Sequence, residues 1–487
     1  PTATLTPTPT PPQPPIPTPE VDLTDRSLYA ANLKPAFAGD VDLVPHAPHY
    51  FIQAELLPGP TPQVRGVERV RYVNQETTPL DAIYFRLYPN LPGYGGASQA
   101  GPVIVDNRFV SPTLEYADSA LRVPLAAPLP PGAAADITLW FTATLPTSVT
   151  PGTAGSGLYG FFGGVYDLAG FYPTIPVYDD EGWNLEVAAT FGDATFTDIA
   201  FHQVEFTLPG ALQIVASGSV LEERPNSDGT TTWRLAAGPM RAFYLAASEH
   251  YRAISQEVNG ATVNSWHLPG GEEGARTALS YATSSLATFE QLFGPYPYRE
   301  LDVVAMPTTA FGMEYPGVID IAQSFYGPNG GAFAISVVHE VAHQWWYNLV
   351  GNDQPDEPWL DESLCNYAVY LHYEAVDWPE MRDAMMNNIF WYRYNAARNL
   401  GIDRPVGGPV TGFDPANYIN MVYSKGPLFL HAVRERMGDE AFFAALADYA
   451  ATHRYGVAYP EDLMAAFRRH TTAPLDDLYT QWITGPP

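Results

Sequence analysis

The chain has 487 residues, 46% of them hydrophobic and 13% aromatic, so it is globular and too long for one ordinary core. Its 53 acidic against 24 basic residues leave a formal charge of −29, which argues against nucleic acid or an anionic membrane surface as a partner, since both are themselves negative. One cysteine, Cys365, allows neither an internal disulfide framework nor a cysteine-built metal cage and reads as a small buried hydrophobe.

In chain order, residues 1–20 come first, PTATLTPTPTPPQPPIPTPE, with fifteen Pro or Thr. That composition cannot bury a core and predicts an extended, polyproline-like tether. Such a tract suits a folded domain held away from a cell surface. With no initial Met and no charged segment leading an apolar one, the expectation is a removed secretory or lipoprotein signal and an extracytoplasmic, secreted or surface-tethered protein. No run of about 18 or more apolar residues is present, so no transmembrane span is expected.

Residues 21–267 read as an all-β domain, because alternating segments such as VRGVERVRYVN, AIYFRLYP and TFTDIAFHQVEFTL recur between Pro and Gly punctuation. From residue 268 to 487 the period changes to that of helices. EEGARTALSYATSSLATFEQLFG is amphipathic, LDVVAMP is a short strand, and the stretch from Asp439 to Ile483 reads as further amphipathic helices. The fold class is therefore multidomain, a β domain followed by a mainly α domain.

The chemistry concentrates in VVHEVAHQWWYN, residues 337–348. His339 and His343 stand four apart in a stretch free of Gly and Pro, so on a helix both imidazoles leave one face and can share a zinc ion, with Glu340 beside the metal rather than on it. A catalytic zinc needs a third protein ligand and an open position for water, whose acidity it raises. Metzincin spacing would place Gly at 346 and His at 349, where the chain has Trp346 and Leu349. Glu362 in WLDES, nineteen residues after His343 and beyond the turn-rich GNDQPDEP, is the candidate, carried by a second helix folding back on the first.

The stretch VVHEVAHQWWYNLVGNDQPDEPWLDESLCNYA resembles the zinc signature of the M1, or gluzincin, aminopeptidases, HExxH followed by eighteen residues and Glu. GMEYPG, residues 312–317, is similar to that family's Gly-x-Met-Glu-Asn motif, and YSKG, residues 423–426, to its Tyr-x-Lys-Gly. The resemblance implies a thermolysin-like catalytic domain holding one Zn2+ through His339, His343 and Glu362, and peptide substrates with a free N-terminus. It implies that Glu314 holds the substrate's α-amine, with Gly312 and Met313 along the substrate backbone. Glu340 can take a proton from the zinc-activated water and return it to the leaving amine. Tyr423, a phenol with an ordinary pKa of about 10, can donate to the oxyanion. Rival readings are an endopeptidase or another zinc hydrolase with the same triad, and a surface binding protein whose site has decayed. The intact set of five residues disfavours decay.

The chain departs from the family at Tyr315, where Asn is usual, and at Asp361 and Ser363, which flank Glu362 in place of Asn and Gly. The second amine anchor is expected within YDLAGFYPTIPVYDDEGWN, residues 166–184, with no residue singled out. The large C-terminal helical domain of many relatives is expected to be missing, because the sequence stops just after Trp482. His372 and His431 read as hydrogen-bonded packing residues.

Overall fold

The computed structural model describes residues 21–148, 157–187, 189–327 and 331–485; the tract read as a tether, residues 1–20, lies outside them. The first domain is built from strands and short 3-10 turns. Its largest sheet has the order Ser219–Pro225, Thr230–Met240, Ala200–Pro209, His49–Leu57, Gln63–Val73, Ala134–Thr144, Ala97–Val105 and Arg108–Val110. His49–Leu57 and Ala200–Pro209 pair in parallel, and their neighbours are antiparallel. Alternation sets the inner face: Val64, Val70 and Tyr72 of VRGVERVRYVN are buried, while Arg65, Arg69 and Arg71 are half-buried on the other side.

A second, five-stranded sheet has the order Arg252–Val258, Ala261–His267, Glu300–Met306, Val318–Ala322 and Gly312–Met313. Its two central pairings are parallel, and helix α1 (Glu272–Phe293) supplies the crossover that parallel strands need. LDVVAMP thus lies on a central strand, buried on both faces, which is why it reads as an apolar run rather than an alternation. The sheet extends across residue 267, since its first two strands precede the helical region. Gly312–Met313 forms the edge strand, opposite Ile321 and Asp320.

Two helices carry the histidine motif and the third acid. Helix α2 (Gly331–Ala342) packs on α1 and on α3 (Trp359–Ala375), whose first fifteen residues are all buried. The segment from Asp439 onward contains the helices Asp439–Thr452 and Pro460–His470. Arg241, buried at the end of the strand Thr230–Met240, fastens the two halves together. Its Nε donates to the Tyr347 carbonyl at 2.6 Å and its Nη1 to Thr197 at 2.9 Å, while Nη2 donates to Gly456. A Cβ on Gly351 would lie 2.1 Å from that guanidinium, so glycine leaves the space it occupies. Among the described residues no helix is long and apolar enough to cross a membrane.

Candidate active site

His339 lies in the last turn of α2 and His343 just beyond it, where the His343 amide still bonds back to the His339 carbonyl at 3.3 Å. The two Nε2 atoms are 3.1 Å apart. Glu362, in the first turn of α3, brings Oε2 to 3.0 Å from His339 Nε2 and 3.5 Å from His343 Nε2. Donor atoms about 2.0–2.2 Å from a tetrahedral zinc stand roughly 3.3–3.6 Å from one another, so this triangle fits the ion closely. His343 Nδ1–H donates to the Trp346 carbonyl at 3.1 Å, which leaves Nε2 as the lone-pair nitrogen. Burial would raise the Glu362 carboxyl, but its bonds to His339 and His343 outweigh that and hold it below the usual carboxylate range. Two imidazoles and a carboxylate are the donor set of a zinc site with one open position.

Glu340 is not a corner of this triangle but stands close to its His343 corner. A carboxylate oxygen from each of Glu314 and Glu340 and a nitrogen of His343 lie within 4.8 Å of one another. Burial first, and then the Glu314 charge, push the Glu340 carboxyl well above its usual range. Gly312 makes room for it: a Cβ there would sit 2.3 Å from Glu340 Oε1. The motif's first glycine is therefore required by the space around Glu340, not by a left-handed backbone.

Side chains from the turn after α2 hold the Glu314 loop. Asn348 Nδ2 donates to the Glu314 carbonyl at 3.0 Å, Gln344 Nε2 to the Tyr315 carbonyl at 3.2 Å, and the Gly317 amide donates to Gln344 Oε1 at 2.9 Å. Gln354 Nε2 reaches both Glu314 Oε1 at 3.1 Å and Asp361 Oδ2 at 2.8 Å, while its Oε1 accepts from Thr195. Tyr423 sits in a π-helical turn, Met421–Lys425, whose freed carbonyls are claimed by α3. Ser363 Oγ donates to Val422 at 2.7 Å and Asn366 Nδ2 to Tyr423 at 2.8 Å. The Tyr423 hydroxyl donates to Glu362 Oε1, and burial with that acid keeps the phenol protonated. The YSKG glycine, Gly426, is explained by the departure at Ser363: a Cβ at 426 would fall 1.9 Å from Ser363 Oγ.

The metal triad, Glu314, Glu340, Asn366 and Tyr423 line a cavity of about 710 Å³, together with Gly312, Met313 and residues 189–195 of the first domain. The helical part of this architecture has a known counterpart, because residues 277–482 match the Peptidase family M1 domain. The second domain belongs to peptidase family M1. Relatives include Aminopeptidase M1-B of Oryza sativa subsp. japonica, 25% identical over 351 residues that cover 68% of this chain and 39% of that protein. Aminopeptidase M1 of Arabidopsis thaliana is 24% identical over 305 residues, 58% of this chain and 34% of that one. The chain thus spans well under half the length of these relatives. A crystal structure of an M1 zinc metallopeptidase from Deinococcus radiodurans superposes with a TM-score of 0.65 at 19% identity, over 91% of this chain and 94% of that one. Over both domains, then, the fold is the two-domain fold of that structure.

The M1 domain's site also contains residues that the sequence did not mark. Asp193 comes from the first domain, outside the stretch 166–184, and hydrogen-bonds Glu362; burial, then Glu314, Glu362 and Asp361, hold its carboxyl well above the usual range. Its only sequence signal is a Gly-Asp turn, with Gly192 at φ +71°. Residues 166–184 supply apolar and hydroxyl wall, including Ala169, Tyr172 and Thr174. Cys365 is buried and its thiol is pushed up by burial, while His372 bonds Thr288 and His431 bonds Tyr367, so all three have the packing roles expected of them.

Tyr315 stacks on Tyr244, ring centroids 3.8 Å apart and 6° between planes, and the Tyr244 hydroxyl donates to Asp320 Oδ2 at 2.8 Å. Asp320 faces Met313 across the edge pairing, so this stack braces the Glu314 strand from behind. Asp167 neighbours Asp320, and the Tyr244 hydroxyl that donates to Asp320 also lies against Asp167. Burial pushes Asp320 up to about 8, and burial plus Asp320 holds Asp167 well above its usual range. Unfolded, both acids ionise near pH 4. The folded chain therefore binds more protons between about pH 4 and 8, and its stability falls as pH rises through that window, by about 1.4 kcal/mol per unit for each retained proton. Asp167→Asn, which offers Asp320 an amide donor, should flatten the decline in Tm measured from about pH 5 to 8. A variant Tm that falls as steeply as the parent's would rule out the pair as its source.

Proposed function

We propose that this chain is a zinc-dependent aminopeptidase that releases single residues from the free N-terminus of peptides. The observation that carries this reading is the Glu314 carboxylate within 4.8 Å of Glu340 and His343, in the cavity wall beside the metal triad. An anion at that depth suits a substrate α-ammonium, and it brings the first peptide carbonyl to the reacting groups. His339, His343 and Glu362 would hold the zinc, which when bound would supply Lewis acidity toward the carbonyl and the attacking water.

The chain's own residues do the rest. Glu340 accepts the water's proton as the water adds to the carbonyl, then passes it to the departing amine. Tyr423, kept as a neutral phenol, turns its O–H to the developing oxyanion. Gln354 and Asn348 hold Glu314 in place, and Asp193 adds a second acid beside it for the amine. The Gly312–Met313 edge offers unpaired backbone to an extended substrate.

The test compares kcat/KM for an aminoacyl anilide and its N-acetyl analogue. Glu314→Ala should cost the free-amine substrate about 2–5 kcal/mol, the scale of breaking a desolvated charge pair, and the acetylated one far less. Equal cleavage of both substrates by the parent, or equal loss in the variant, would instead support an endopeptidase.

A further inference from the structure

The charged side chains lining the cavity are Asp193, Glu314, Glu340 and Glu362, two histidines of the metal triad, and Arg393. Arg393 stands out because it has no ion pair and no hydrogen bond among the described residues. It stands on the helix Tyr392–Asn399, one turn after Ile389, which lines the same wall. The next residue on the helix, Tyr394, turns its hydroxyl to Asp403 at 3.2 Å, and Asp403 is already paired with Lys425 Nζ at 2.7 Å. Half-buried, Arg393 is shifted downward by burial alone, with no contribution from the four acids at the metal. Its charge is thus separated from theirs. In a chain with 53 acids against 24 bases, a partly desolvated arginine without a carboxylate is an uncompensated cost.

The cavity is therefore anionic where Glu314 stands and cationic at Arg393. We infer that Arg393 binds a carboxylate on the leaving part of the peptide, so that the site holds a short substrate by charges of opposite sign at two points. Guanidinium is suited to this, since its planar fork takes a carboxylate through two parallel bonds. The carboxylate is either the C-terminus of a short peptide or an acidic side chain after the scissile bond. This inference rests on the aminopeptidase reading.

Three tripeptides with one N-terminal residue decide the matter: a free acid, its neutral C-terminal amide, and an amide with Glu in third position. The parent should cleave a carboxylate-bearing peptide about 10- to 100-fold better in kcat/KM than the neutral amide. If the acid alone gains, the terminus is the ligand; if the Glu amide also gains, a side chain serves as well. In Arg393→Gln that ratio should fall to near one, and Arg393→Lys should retain part of it. A parent that treats all three peptides alike, or a ratio that survives in Arg393→Gln, overturns the assignment. Calorimetric binding of the same peptides to the Glu340→Gln chain gives the ratio without turnover. Failure to hydrolyse any of them would count against the peptidase reading, while the binding ratio still decides for or against Arg393.

Discussion

His343→Ala should lose stoichiometric zinc and, with it, the proposed aminopeptidase activity. The imidazole is a corner of the ligand triangle, with its Nε2 3.1 Å from His339 Nε2 and 3.5 Å from Glu362 Oε2. Its tautomer is set by the bond to Trp346. Two ligands are too few to hold a catalytic zinc against dilution, and the loss of its Lewis acidity removes several kcal/mol of transition-state stabilisation, a fall of at least about 10³-fold. Elemental analysis after dialysis, beside the kcat/KM of an aminoacyl anilide, reads both effects. Zinc retained at one per chain would show that the ion lies elsewhere.

Glu340→Gln should separate the metal from the proton transfer. Glu340 is outside the ligand triangle, so the variant should keep its zinc, and Gln is close enough in shape to fill the space that Gly312 leaves. What it lacks is a base. Turnover should fall by about 10²–10⁴-fold with KM little changed, the signature of a group that acts in the transition state. Near-parental turnover in a zinc-loaded variant would assign the proton to another group, with Asp193 the next to test.

How much of this was legible in the sequence follows from the range of the interactions. His339 and His343 are related by one helical turn, so local geometry alone puts their nitrogens on one face. Glu362 needed one further step, a helix returning after a turn, and the structure supplies it with α3. The periods of two in the β domain and of the helices after it reflect which faces are buried, and they located both regions. The strands Arg252–Val258 and Ala261–His267 read as part of the β domain because a strand's pattern does not say which sheet it joins.

The sequence by itself marked the His339–His343 pair, Glu340 beside it and the order of β and helical regions, because each depends on spacing along one helix or strand, whereas Glu362 needed a second helix to bring it back. Only the tertiary structure decided that Asp193 reaches Glu362, that Gln354 joins Glu314 to Asp361, that Gly312 is small for the sake of Glu340 and Gly426 for the sake of Ser363, and that Arg393 stands in the cavity without a partner among the described residues. In each case the partners are far apart in the chain or joined by a loop. Their meeting is set by how the two sheets and the helices pack, and no local period carries that information.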